Sequence, residues 1–150
     1  MTQTGLIRKE KPGDETAIMG LVQELAEYEK APNEVINTPK QLAIDIFEDA
    51  ICECFVYELE GVIHGMALYY ISYSTWKGRS MYLEDLYIQP DYRRGGMGKN
   101  LFQKIVDTAK EMGVKRMDWQ VLDWNKPAIA FYKKIGATLD PEWINGRLFF

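Results

Sequence analysis

The sequence has 150 residues, a formal net charge of −4, and hydrophobic and aromatic fractions of 47% and 13%. This length predicts one domain, residues 1–150, with a single substantial core, and this composition argues against a disordered chain. The acidic balance disfavours a nucleic-acid-binding protein, because phosphate binding needs a basic surface. No apolar run approaches the roughly 18 residues of a membrane span. The first residues lack the pattern of a secretion signal, so we expect a cytoplasmic protein that does not bind membranes.

The first part of the chain predicts one strand and two helices. The strand lies within residues 4–10, and Asp14 is placed to cap the first helix. Behind this cap, apolar residues recur with the helical period of 3.6 at Ala17, Ile18, Leu21, Val22 and Leu25. Thr38 followed by Pro39 is typical of a helix start. The second helix would direct three side chains inward, those of Leu42, Ile46 and Phe47.

The remainder predicts a sheet with further helices. Consecutive strands are expected within residues 51–59, 62–73 and 79–89, joined by turns at Glu60-Gly61 and near Lys77-Gly78. An amphipathic helix over 97–112 ends at Gly113, and a strand follows within 114–122. A short helix over 126–136 closes at Gly136, and a last strand lies within 146–150. This order predicts the α/β (α+β) class, a mixed sheet with helices on its faces.

Cysteine and histidine give little support for a metal site. Cys52 and Cys54 are too close in sequence to favour a disulfide, so both are predicted to be free thiols. The sequence contains one histidine, His64, which has no obvious partner, and no second cysteine pair. We therefore expect no bound metal.

The glycine-rich turn after the third consecutive strand indicates an anion site. Residues 93–98 read Arg-Arg-Gly-Gly-Met-Gly and open a helix. A P-loop would need glycine in place of Arg93, and a dinucleotide fingerprint would need glycine in place of Leu101, so both motifs fail. Glycines still let N–H groups converge on an anion, and the helix N-terminus adds its dipole. The turn predicts a pyrophosphate cradle, with an ordinary glycine-rich turn as the alternative.

Two motifs in this order carry a family resemblance. The turn has the form R-x-x-G-x-G, and "WNKPAIAFYKKIGA" follows it after one further predicted strand. Together they resemble the GNAT superfamily of acetyl-CoA-dependent N-acetyltransferases, and the resemblance extends over the whole chain. In that superfamily the first motif binds pyrophosphate and the second carries Asn and Tyr beside the pantetheine and thioester. The resemblance implies a GNAT-type, mostly antiparallel sheet, acetyl-CoA as co-substrate and a homodimer.

A narrower resemblance concerns the acceptor. The stretches "QELAEYE", "YLEDLYIQPDYRRGGMG" and "GRLF" look like the diamine acetyltransferases, the spermidine/spermine and thialysine branch. The implied acceptor is a small polyamine, diamine or lysine-like amine, whereas "TLDPEWIN" differs from the polyamine-contacting loop of that branch. Protein lysines, protein N-termini and amino-sugar antibiotics remain alternative acceptors. A non-catalytic acyl-CoA-binding module is the alternative from another class, and the presence of both Glu84 and Tyr132 argues against it.

The resemblance assigns two catalytic residues. Glu84 would bind the amine and relay its proton, with Asp85 on the opposite face of the strand. Tyr132 would protonate the leaving thiolate, whose conjugate acid has a pKa of about 8.5. Asn125 would cap the short helix and bond to the pantetheine arm.

Further contacts are predicted for both substrates. Tyr28 and Glu29 would hold the distal end of the acceptor, a solvated helix end being equally compatible with them. Trp119 would line the acceptor cleft or belong to the core. The other coenzyme contacts come from a strand backbone and the glycine turn: Leu86, Tyr87, Ile88, Arg93, Arg94, Gly95, Gly96, Met97, Gly98 and Lys99.

Overall fold

The computed structural model describes residues 5–150. Five strands are present: β1 (Leu6–Lys9), β2 (Glu53–Leu59), β3 (Val62–Ser74), β4 (Gly78–Ile88) and β5 (Met117–Asp118). The α-helices are α1 (Glu15–Tyr28), α2 (Pro39–Ala43), α3 (Met97–Glu111) and α4 (Lys126–Lys134). A π-helical segment (Ile44–Glu48) continues α2, and a 3-10 turn (Pro90–Tyr92) precedes the glycine turn. None of the helices among these residues is long and apolar enough to cross a membrane.

The strands form one sheet in the order β1-β2-β3-β4-β5. The first three pairings are antiparallel, and β4 pairs with β5 in parallel. The turn between β2 and β3 has positive φ at both Glu60 (52°) and Gly61 (78°), as a two-residue type I′ hairpin requires. The predicted mixed, mostly antiparallel sheet flanked by helices is therefore confirmed.

Helices cover both faces of the sheet. On the first face, α1, α2 and the π-helical segment pack on strand residues that include Val56, Met66 and Leu68. On the second face, α3 contacts β2, β3 and β4. Of the apolar residues whose period predicted this helix, Leu101, Phe102, Ile105 and Ala109 are buried, whereas Val106 is half-buried and Met112, just after the helix, is exposed.

The predicted side-chain cap at the start of α1 is not formed. Asp14 occupies the N-cap position, but its side chain makes no capping hydrogen bond. Its carboxylate instead accepts hydrogen bonds from Arg8 Nη1 at 2.8 Å and Arg8 Nη2 at 3.1 Å. Arg8 Nη2 also donates to Glu58 at 3.2 Å, so one guanidinium ties β1, β2 and the start of α1 together. At α2 the predicted cap is confirmed, because the Thr38 hydroxyl accepts from the Gln41 N–H at 3.1 Å.

The carboxyl-terminal part is less regular than predicted. The chain divides into two compact units after Trp119, and the single domain of residues 1–150 stays a prediction. The strand expected within 114–122 is only Met117–Asp118, and the strand expected within 146–150 does not form. Within residues 120–150 the one regular element is α4, so the apolar segment 146–150 has no neighbouring strand in this unit to supply the hydrogen bonds of a ladder. Cys52 and Cys54 are free thiols, as predicted.

Candidate active site

The glycine turn has the backbone geometry of an anion cradle. Gly95 and Gly96 have φ values of 94° and 80°, which favour glycine at both positions. Gly96 is the N-cap residue of α3 and contributes no side-chain cap, so N–H groups of the first helical turn are left for an external acceptor.

Gly98 gives an independent indication of a ligand. It lies inside the first turn of α3 with no positive φ, and a Cβ built on it would meet nothing within 4 Å. The folded chain therefore does not require glycine there, although glycine weakens a helix relative to alanine. A bound group has room to approach the backbone closely there, and exposed Arg94 and Lys99 flank the same turn. The residues present fit a pyrophosphate.

One edge of β4 is free beside this turn. β4 pairs with β5 only through Met81 and Tyr82. Beyond Tyr82, no strand within residues 5–150 pairs with that edge. The backbone of Leu86 and Tyr87 lies in this region and can bond to the amides of a pantetheine arm. The Ile88 carbonyl is already occupied, because it accepts from Arg93 Nε at 2.7 Å.

A β-bulge changes the predicted orientation of the two acidic residues of β4. Tyr69 of β3 opposes Leu83, whereas Leu68 opposes Asp85, so Glu84 is an extra residue in the ladder. The strict alternation that put Glu84 and Asp85 on opposite faces is therefore broken. Asp85 shares the face of its partner Leu68, which belongs to the core under α1, and Glu84 is exposed.

Burial and neighbouring carboxylates change the pKa of Asp85 at this bulge. The pKa of Asp85 is raised to about 7, first by burial and then by the negative charges of Glu84 and Glu29. Burial also raises the pKa of Glu29, at the end of α1. Burial, together with the charge and hydrogen bond of Glu84, raises the pKa of Tyr70. This concentration of negative charge suits a cation, and a carboxylate with a pKa near neutrality suits proton transfer.

Asp85 was not among the predicted site residues. Its adjacency to Glu84 in Tyr-Leu-Glu-Asp was the available signal, but regular strand alternation directed it away from the cleft. Only the extra residue in the ladder brings the two carboxylates together.

Two further residues that were predicted to contact the acceptor amine, Tyr28 and Trp119, lie in different parts of the structure. Tyr28 is exposed at the end of α1, and its ring centre is 5.9 Å from Cζ of Arg93. Trp119 packs edge-on against Phe102 of α3, with ring centres 5.4 Å apart. This packing lies on the second face of the sheet, away from the face of Asp85, so the structure favours the core position for Trp119. Within residues 5–150 no group of histidine, cysteine and carboxylate side chains could hold a metal ion.

The remaining predicted residues belong to the second unit. Asn125 caps α4, since its Oδ1 accepts from the Ala128 N–H at 3.4 Å, as predicted. Tyr132 is buried in α4, and its ring lies edge-on to Phe131 with centres 5.4 Å apart. Their contacts with a coenzyme stay predictions.

Comparisons with known proteins give one consistent result. The model of the acetyltransferase (GNAT) family matches residues 19–137. A thialysine N-epsilon-acetyltransferase from Bos taurus is 41% identical over 141 residues, covering 88% of this chain and 83% of the relative. The same-named enzyme from Caenorhabditis elegans is 40% identical over 140 residues, covering 91% and 87%. A solved aminoglycoside N-acetyltransferase AAC(6')-Iy, in complex with CoA, superposes with a TM-score of 0.82 at 18% identity. The superposition covers 99% of this chain and 97% of the aminoglycoside enzyme, which shows that the two share a fold.

Proposed function

The chain belongs to the acetyltransferase (GNAT) family and is an acetyl-CoA-dependent N-acetyltransferase, and from this premise we propose that its acceptor is the primary amine of a small, lysine-like or diamine-like cation. One observation carries the proposal: Glu29 and Glu84 lie close enough to Asp85 of β4 for their negative charges to raise its pKa. The thialysine enzymes among its relatives support the same class of acceptor. Thialysine, a thioether analogue of lysine, is the first acceptor to test.

The carboxylates would both attract the acceptor and deprotonate it. A lysine-like amine has a pKa of about 10.4 and is an ammonium ion at neutral pH, which does not attack a thioester. Glu84 and Glu29 supply negative charge for that ion. Asp85, with its pKa raised by burial to about 7, receives the proton directly or from Glu84.

Acetyl transfer then proceeds without an acyl-enzyme. Bound acetyl-CoA supplies the acetyl thioester. The neutral amine nitrogen, after giving its proton to the Glu84–Asp85 pair, forms the new bond to the acetyl carbonyl carbon. As the carbon–sulfur bond breaks, the Tyr132 hydroxyl donates its proton to the leaving sulfur, the acetylated nitrogen loses its second proton to solvent, and the Tyr132 oxygen takes a proton back from solvent.

The coenzyme site would comprise three groups of residues. Residues 94–99 bind the pyrophosphate, the backbone of 86–88 binds the pantetheine amides, and Asn125 bonds to the pantetheine arm. The family match extends from residue 19 to residue 137 across both compact units, which supports one N-acetyltransferase domain. A homodimer, as the family resemblance implied, and a cytoplasmic location, as the sequence predicted, are part of the same proposal.

An acceptor panel with detection of free thiol tests the proposal. We expect kcat/KM for thialysine, lysine or a short diamine to exceed that for a lysine peptide or an aminoglycoside by at least about tenfold. Asp85→Asn should lose activity with every amine, whereas Asp49→Asn, a change at an exposed carboxylate, serves as the matched control. A preference for the peptide or the aminoglycoside would contradict the proposed acceptor. Acetyl-CoA binding without thiol release from any amine would favour the non-catalytic alternative.

A further inference from the structure

A hydrogen-bond network joins α1 to the segment before the glycine turn. Glu24, one helical turn before Tyr28, accepts from the Tyr87 hydroxyl at 3.1 Å and from Gln89 Nε2 at 3.0 Å. The other end of the Gln89 amide, Oε1, lies 2.7 Å from His64 Nδ1. Since the amide nitrogen is committed to Glu24, the amide oxygen accepts and His64 Nδ1 donates. The sequence expectation that His64 has no partner is therefore wrong.

The same network holds the 3-10 turn. The His64 ring stacks on Tyr92, with ring centres 3.7 Å apart and an interplanar angle of 17°. The Gln89 N–H donates to the His64 carbonyl at 2.9 Å, and the Tyr92 N–H donates to the Gln89 carbonyl at 2.9 Å. Backbone bonds and ring stacking together fix the segment that leads to Arg93.

Arg93 extends these contacts to the carboxyl-terminal end of α1, where Tyr28 is proposed to bind the acceptor amine. Its Nε donates to the Ile88 carbonyl at 2.7 Å. Its Cζ lies 5.5 Å from the ring centre of Tyr87 and 5.9 Å from that of Tyr28, both within the range of a cation–π contact. Although much of the side chain is exposed, the guanidinium is held by the end of β4 and by rings from two elements.

We propose that Arg93 is a positioning residue that fixes the glycine turn against Tyr28, and thereby holds the coenzyme and acceptor sites in register. The inference rests on the proposed function, because it needs the turn to bind pyrophosphate and Tyr28 to lie beside the acceptor. It replaces the sequence prediction in which Arg93 itself binds the pyrophosphate. Loss of Arg93 then releases the turn from α1 rather than removing one contact to the coenzyme.

Two acetyl donors separate a positioning role from a direct contact. S-acetyl-pantetheine ends before the pyrophosphate, whereas acetyl-CoA contains it. Arg94→Ala, at the neighbouring arginine, is the matched control. It should lower kcat/KM about tenfold with acetyl-CoA, as expected for the loss of one charge-assisted hydrogen bond, and leave kcat/KM with S-acetyl-pantetheine unchanged. Arg93→Ala should lower kcat/KM by a similar factor with both donors. At saturating acetyl-CoA it should also raise KM for the acceptor amine severalfold, an effect not expected for Arg94→Ala.

A second variant keeps the test decisive if Arg93→Ala does not fold. Glu24→Gln removes one of the two oxygens that hold Tyr87 and Gln89, and it should produce a smaller loss of the same kind with both donors. A loss confined to acetyl-CoA, with an unchanged acceptor KM, would make Arg93 a pyrophosphate ligand and overturn the inference. Failure of the proposed function gives a different result, because the wild-type protein would then release no thiol with any small amine.

Discussion

Replacing Asp85 with asparagine should stabilise the protein at neutral and alkaline pH while abolishing most of its activity. The pKa of Asp85 is raised from 3.8 to about 7 by burial and by the charges of Glu84 and Glu29. The folded protein therefore holds this proton more tightly than the unfolded chain, and the free energy of unfolding falls as pH rises from about 4 to about 7. At roughly 1.4 kcal/mol per pKa unit this amounts to at most about 4 kcal/mol.

Thermal unfolding as a function of pH measures this contribution. Relaxation and water entry reduce the cost of a buried charge, so we expect Asp85→Asn to gain about 2–4 kcal/mol at pH 8. For a chain of this length that gain raises Tm by roughly 5–15 °C. The gain should disappear below about pH 4, where wild-type Asp85 is protonated in both states. Asp49→Asn, at an exposed carboxylate, should show no such pH-dependent gain. A stability difference between wild type and Asp85→Asn that does not change with pH would refute the assignment of a buried, charge-crowded carboxylate.

Three further substitutions test separate features. Tyr132→Phe should lower kcat by about 10²–10⁴-fold and leave the acetyl-CoA Kd nearly unchanged, because the hydroxyl is needed when the thiolate leaves; a wild-type kcat would assign that proton elsewhere. Gly98→Ala should raise stability by up to about 1 kcal/mol through helix propensity but weaken acetyl-CoA binding in calorimetric titration, and unchanged affinity would contradict a close approach of the coenzyme. Ser80→Ala should be neutral or stabilising by about 1 kcal/mol in denaturant unfolding, since the buried Ser80 hydroxyl has no hydrogen-bond partner among residues 5–150; a clear loss of stability would show that the hydroxyl is satisfied.

The sequence by itself determined the features that depend on neighbouring residues. The periodicity of 97–112 predicted the buried face of α3, and Thr38 and Asn125 predicted caps that the structure contains. The Glu60-Gly61 hairpin belongs to the same group. Each depends on backbone preferences and hydrogen bonds within a few residues, so the local amino-acid pattern is sufficient.

Tertiary structure alone decided the features that join distant segments. The bulge at Glu84 arises from the register between β3 and β4, and it places Asp85 where Glu29, from a helix far earlier in the chain, raises its pKa. The direction of Arg93, toward Tyr28 and Tyr87, likewise depends on how α1 packs on the sheet. The apolar segment 146–150 resembled a strand, but a strand exists only where another backbone supplies hydrogen bonds. Such pairings are properties of two segments at once, and the pattern within either segment does not contain them.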